Sequence, residues 1–209
     1  LETQETVGAI STQGGSFIEI VRGVHGRTTE IRTPGITRVN SGTIQFNTNT
    51  EQLGTDERLI ITGAAPAVPN GMVAPWMVTN TNSEFLTYNA DTGFTKAGFT
   101  RNQAAATLAA TVSALTDRTI FSGAVVLNDG IDFETWGLRL DGDVTLTTAT
   151  NSTAQLIIGS GGLLTTGTRI INSGIVAGSI ASPGELLLWN SGTTTSAATL
   201  VATARPAFA

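Results

Sequence analysis

The apolar positions of this chain come in short bursts. Runs of three to five apolar-rich residues are divided by Gly, Ser, Asn or Asp, most densely from Trp136 to Gly192. There WGLRLDGDVTLTTAT (136–150), AQLIIGSGGLLTTGTRIINSGIVAGS (154–179) and ELLLWNSG (185–192) follow one another. Such punctuation predicts strands that turn every few residues, and a chain that winds on itself as stacked rungs.

The same grammar governs residues 7–46. SFIEIV (16–21) follows Gly14-Gly15, ITRVN (36–40) follows Pro34-Gly35, and GTIQFN (42–47) follows Ser41. With a side-chain period of two, Ile18 and Ile20 share one face, and Phe17, Glu19 and Val21 the other. Ile44 and Phe46 point one way and Gln45 the opposite way. Asn49 to Asp56 reads as a polar loop, and RLIIT (58–62) returns to strand.

Residues 64–100 break the rhythm. AAPAVPNG (64–71) carries two Pro and a turn-prone Asn70-Gly71, and Trp76 and Tyr88 follow. Asn102 to Thr116 is rich in Ala, with Asn102 as a candidate N-cap, while its Thr, Val and Ser favour strand; a short helix and more strand both fit. From Arg118 the strand pattern resumes. The expected organisation is one continuous all-β domain. It has β-solenoid rungs over 1–63, a loop excursion or side-packed insertion over 64–117, and rungs again over 118–209. The step from the Leu138–Leu140 pair to the Leu156–Ile158 pair suggests one turn of the coil. At roughly 20 residues per rung and about 4.8 Å between strands, the chain would make roughly eight to ten rungs. The expected core includes Ile18, Ile20, Ile44, Phe46, Leu138, Leu140, Leu156, Ile158, Ile170 and Leu187.

Composition sharpens this. The 209 residues include 24 Gly and no Cys, and 13% are charged. Without Cys there is no disulfide framework and no thiolate chemistry. A net charge of −5 with no Lys/Arg cluster removes the electrostatic footprint of nucleic-acid or anionic-membrane binding. No apolar run has the length of a membrane-spanning helix. The chain begins at Leu1 and shows no secretion signal, as expected for a mature product or a piece of something longer.

The motifs then resemble a known family. ETVGAI (5–10), RLIITGAAP (58–66), the segment holding Pro75, Trp76, Phe85 and Tyr88, LRLDGDVTLT (138–147) and IGSGGLLTTGTRIINSGIVAG (158–178) together resemble bacterial autotransporter-associated β-strand repeat proteins. The Pro-Trp segment is similar to that family's PWATV…DFATY stretch, and GGLLTTG to its GGLLSTGG turn. The resemblance implies a right-handed parallel β-helix, exposed on the bacterial outer surface or secreted, with no catalytic residues to carry over.

Candidate chemistry is sparse. Asp129, Asp132 and Glu134 form the densest acid cluster; they suit a calcium ion or, more simply, a solvated turn. Asp141 and Asp143 flank Gly142, a turn signature before it is a carboxylate pair for glycoside cleavage. His25 is the single His and lies in GVHG, without the setting of a catalytic triad and without partners for a zinc site. The GSGG run (159–162) lacks the lysine and helix of a phosphate cradle. Trp76, Trp136 and Trp189 offer surfaces for sugar stacking, with Trp76 and Trp189 the preferred glycan contacts and core packing the competing reading. Asn151-Ser152-Thr153 matches a glycosylation sequon, and the Thr/Ser tracts at 147–150 and 192–196 are β-formers that a secreted protein can also glycosylate.

Neither LETQETVGAI (1–10) nor TLVATARPAFA (199–209) shows an obvious cap over the strand edges. Neighbouring rungs of a longer fibre, or copies stacked head to tail, would cover them. The expectation is a structural or adhesive extracellular fibre with self-association as its main contact, no cofactor and no enzymatic activity. The alternative is a carbohydrate-active or carbohydrate-binding protein on the same fold.

Overall fold

The computed structural model describes residues 3–23, 27–49, 52–79, 84–108, 114–127, 130–148, 154–166, 169–178, 184–191 and 199–200. Among these the chain is all-β, apart from one 3-10 turn at Pro69–Gly71. It divides into two compact units, Leu1–Gly98 and Phe99–Ala209.

In the Leu1–Gly98 unit the strands are three to six residues long: β1 (Thr3–Thr6), β2 (Ile10–Thr12), β3 (Gly15–Ile20), β4 (Thr29–Thr33), β5 (Ile36–Arg38), β6 (Thr43–Thr48), β7 (Glu57–Ile61) and β8 (Met77–Thr79). They form parallel ladders in the orders β1-β4-β7, β2-β5 and β3-β6-β8. The chain therefore visits three ladders in turn and then visits them again. One circuit runs from Thr3 to its partner Thr29, and the next from Thr29 to Glu57. Both are longer than the rung expected from sequence; the second takes in the turn at 52–56.

Alternation along each strand sends every second side chain inward. Ile20, Ile44, Phe46, Leu59, Ile61 and Met77 are buried together, whereas Phe17 is 69% exposed. The inward and outward faces of β3 and β6 are those that the period of two predicts. Two buried polar groups fix the corners. The Thr33 hydroxyl lies 2.8 Å from Gly8 O. The fully buried Glu57 accepts the N–H groups of Asn49 (3.0 Å) and Gln52 (3.1 Å), which closes the polar loop onto the core.

The third circuit is irregular. The step from Ile44 to its partner Met77 is longer still, and among the described residues the β2-β5 ladder receives no third strand. An antiparallel hairpin of β9 (Leu86–Asn89) and β10 (Gly93–Lys96) then folds over this end. Phe94 lies 5.1 Å from Phe46 and 5.0 Å from Tyr88, ring centre to ring centre. The Tyr88 hydroxyl accepts the N–H of Ile61 at 2.9 Å and reaches its carbonyl at 3.3 Å. Gly93 has a φ of +78°, and a Cβ there would collide with Leu59 O, so only glycine lets the hairpin approach.

The Phe99–Ala209 unit builds one nine-stranded parallel sheet from β11 (Arg101–Leu108), β12 (Ala114–Leu127), β13 (Phe133–Asp141), β14 (Val144–Thr148), β15 (Gln155–Thr165), β16 (Arg169–Asn172), β17 (Gly174–Ala177), β18 (Leu187–Asn190) and β19 (Thr199–Leu200). β11, β12, β13 and β15 are eight to fourteen residues long, and their registers shift at irregular points along them. One column of partners runs Gln103, Phe121, Leu140, Thr165, Asn190. A second runs Phe133, Leu156, Ile175, and a third Val125, Leu146, Ile171. Phe121, Val125, Phe133, Leu138, Leu140, Leu156, Ile158 and Leu163 form the core.

Several expectations change in detail. Leu138 does not stack on Leu156; it pairs with Leu163, while Leu156 pairs with Phe133. Gly159, Ser160 and Gly161 are taken up by an irregularity between the Thr135–Ile158 and Gly137–Gly162 pairs, which lengthens that circuit. The Ala-rich 102–108 stretch is strand, because residues 119–127 supply a parallel partner and ladder hydrogen bonds override a weak helix preference. Residues 64–98 complete the first unit with β8, β9 and β10, and 101–108 and 114–117 are strand in the second. Of the expected core, Ile18 is half-buried, the side chain of Ile170 lies outside the described residues, and the rest are buried.

Candidate functional site

The acidic candidates hold the backbone rather than face a cleft. Asp132 accepts the N–H of Gln155 at 2.8 Å, next to the Phe133–Leu156 pair, and so pins the start of β15 to β13. Asp141 accepts the Arg139 guanidinium and the Thr166 hydroxyl, both at 2.8 Å. Gly142 N–H donates to the same Thr166 hydroxyl at 3.2 Å, so Asp141 ties one corner to the next circuit. Glu134 is half-buried on the outward face of β13 and Asp143 is exposed; Asp129 and His25 lie outside the described residues. Among the described residues no group of three or more His, Cys, Asp or Glu side chains is placed to hold a metal ion.

The three tryptophans take different roles. Trp136 packs on Gly159, where a Cβ would meet its ring at 2.9 Å, and its buried Nε1 has no hydrogen-bond partner among the described residues. Trp189 is half-buried on the outward side of β18, in the column Arg139, Leu164, Trp189. Trp76 is half-buried against the first unit's core, with the Arg38 guanidinium 5.9 Å from its ring centre. It also walls a partly open pocket of about 150 Å³, mainly apolar in its side chains, together with Ile36, Ile61, Val73, Met77 and Phe94. The GSGG run lies within β15, where the Ser160 hydroxyl takes the Gly162 N–H at 3.1 Å. The sequon and the 192–196 tract lie outside the described residues, as do 149–150 of the other tract.

On the outward face of β4 and β7, Glu30 is almost buried between Arg32 (2.6 Å) and Arg58 (4.0 Å). Arg22 pairs with Asp56 at 2.9 Å. Each of these two carboxylates is thus held by at least one guanidinium.

The opening strand of each unit carries polar side chains in inward columns. Glu5 lies in register with Ile31 and, through it, Leu59. Arg101 and Gln103 lie in register with Thr119 and Phe121, both fully buried, and Arg101 sits 5.9 Å from the Phe133 ring centre. Sequence reading missed this feature, whose signal is a charge at a position that is apolar one circuit later. It also missed the cavity, which depends on a strand that the ladder lacks.

No protein-family model matches the chain, and no curated protein or solved structure matches it significantly. No helix among the described residues is long and apolar enough to cross a membrane.

Proposed function

We propose that the chain is a right-handed parallel β-helix segment with a structural and adhesive role on the bacterial surface or outside the cell. It works as a stiff scaffold that presents its outward faces and carries out no catalysis. The observation that carries this reading is the use of the acids: Glu57, Asp132 and Asp141 are spent on backbone amides, an ion pair and a corner hydroxyl. Right-handed winding follows from the strong preference of parallel crossovers. Exposure at the cell surface rests on the resemblance of the Pro75–Tyr88 and Gly-rich segments to autotransporter-associated repeats.

Contact with further circuits or further copies, stacked head to tail, belongs to the same reading, and Glu5 stands in the inward column that a copy stacked on β1 would meet. A strand added there would cover a carboxylate in the inward column. Glu5→Val is therefore expected to raise self-association of this chain, read by sedimentation velocity; an unchanged distribution would show that Glu5 has no part in such contacts. Negative-stain electron microscopy of the native chain tests the scaffold itself, and compact globular oligomers would contradict it. The second reading, a carbohydrate-binding β-helix, is supported by the half-exposed Trp189. Glycan-array binding lost in Trp189→Ala would favour it, and turnover of acidic polysaccharides would replace the scaffold reading with an enzyme.

A further inference from the structure

The cavity of the Leu1–Gly98 unit lies where the β2-β5 ladder stops one strand short. Gly63 passes so close beneath Pro34 that a Cβ there would strike the Pro34 carbonyl, and the chain then runs free of any ladder until β8. Among the described residues Ile36 of β5 thus has no ladder partner from the next circuit. The cavity lies against Ile36, with Ala64 and Pro66 of the next circuit across from it.

We propose that this cavity binds a small apolar ring of about benzene size. Its volume of about 150 Å³ is large enough for such a ring, and the pocket is open to solvent on one side. The floor is buried: Ile61 is 8% exposed, and Met77 and Phe94 1% each. The mouth lies at Ala64, which is exposed. Its wall side chains come from Ala, Val, Ile, Met, Pro and aromatic residues, with no charged group or hydroxyl among them. A sugar would leave its hydroxyls unpaired on entry, which costs more than ring stacking returns. Trp76, a glycan contact by sequence, is instead a wall for an apolar guest.

The walls are set before any guest arrives. Arg38 lies over Trp76 and donates its Nε–H to Gly42 O at 2.7 Å, which holds the guanidinium in place. Phe94 is wedged between Phe46 and Tyr88, and Tyr88 is tied to Ile61. A guest therefore orders little on binding. The Met77 sulfur and two aromatic walls favour a polarisable ring over a linear alkyl chain.

Benzene titrated into the full chain tests this, with methionine methyl and indole N–H resonances as the readout. The chain has two methionines, Met72 and Met77; both are buried, and Met77 alone of the two lines the cavity. The expected result is a saturable shift of the Met77 methyl and Trp76 indole signals, with Met72 unmoved. Val73→Phe, which fills the cavity from one wall, should weaken the response at least about tenfold; Ala64→Leu at the mouth does the same if Val73→Phe fails to fold. No saturable shift up to the solubility of benzene overturns the proposal. So do equal shifts at Met72 and Met77, and an undiminished response in a folded filled variant.

Discussion

The two units use one grammar to different ends. In Leu1–Gly98 the strands stop at the corners, and its parallel ladders stay separate. In Phe99–Ala209 the strands run through their register shifts, and all nine join in one sheet. The regular circuits of the first unit, Thr3 to Thr29 and Thr29 to Glu57, are longer than those along one column of the second, Arg101 to Thr119 and Leu138 to Leu163. Longer circuits leave loops, and loops need anchors. Glu57, Tyr88 and the Arg58–Glu30–Arg32 group supply them in the first unit. The second unit relies on a continuous ladder and on buried threonines, such as Thr135 beside Thr119 at 3.0 Å. Hydrogen bonding along the backbone does there what side chains do in the first unit.

The largest effect expected is that of Leu140→Asp, which puts an unpaired charge into the second unit's core and costs several kcal/mol. Calorimetry should show the Phe99–Ala209 transition lost and that of Leu1–Gly98 retained. Loss of both would mean that the units fold as one, and the comparison would fail. Phe94→Ala should lower the stability of Leu1–Gly98 by about 3–5 kcal/mol, since it opens the stack on Phe46 and Tyr88. Urea denaturation followed by tryptophan fluorescence checks this, and an unchanged midpoint would show that the hairpin does not seal the core.

Smaller effects separate backbone from packing. Gly161 and Gly142 both have positive φ, +78° and +68°, but a Cβ at Gly161 would collide with Glu185 O, whereas one at Gly142 meets nothing within 4 Å. Gly161→Ala should cost about 2–4 kcal/mol and Gly142→Ala about 1 kcal/mol, both read from urea midpoints. Equal losses in the two variants would mean that strain, rather than stacking of circuits, sets the cost. The smallest pair is Tyr88→Phe and Thr135→Val, each expected to cost about 1 kcal/mol. If the first costs clearly more, side-chain anchoring weighs more in the unit with the longer circuits.

Much of the local pattern was legible. SFIEIV showed which residues turn inward, and Ile20 at 1% and Phe17 at 69% exposure agree with it. The same holds for Leu138, Leu140, Leu156 and Ile158, all fully buried. The aromatic Trp76 and Tyr88 were recognisable as a break in rhythm, but their roles were not. The Tyr88 hydroxyl finds its partner at Ile61, a full circuit back along the chain. Leu138 meets Leu163 rather than Leu156 because the circuit from β13 to β15 is longer than the step between those leucines, already so at Thr135–Ile158 and more so past the irregularity at Gly159–Gly161; no local preference announces that length. Asp132 and Asp141 read as possible chemistry because a carboxylate looks the same in sequence whether it meets a substrate or a backbone amide.

By itself the sequence determined the all-β character and the inward and outward faces of single strands. Both follow from a side-chain period of two, which acts between neighbours in the chain. Tertiary structure alone decided which strand lies on which, that one ladder lacks a third strand, and that a cavity opens there. Stacking joins Arg101 to Thr119 in one place and Ile44 to the more distant Met77 in another, and each such step depends on how much chain the corners absorb.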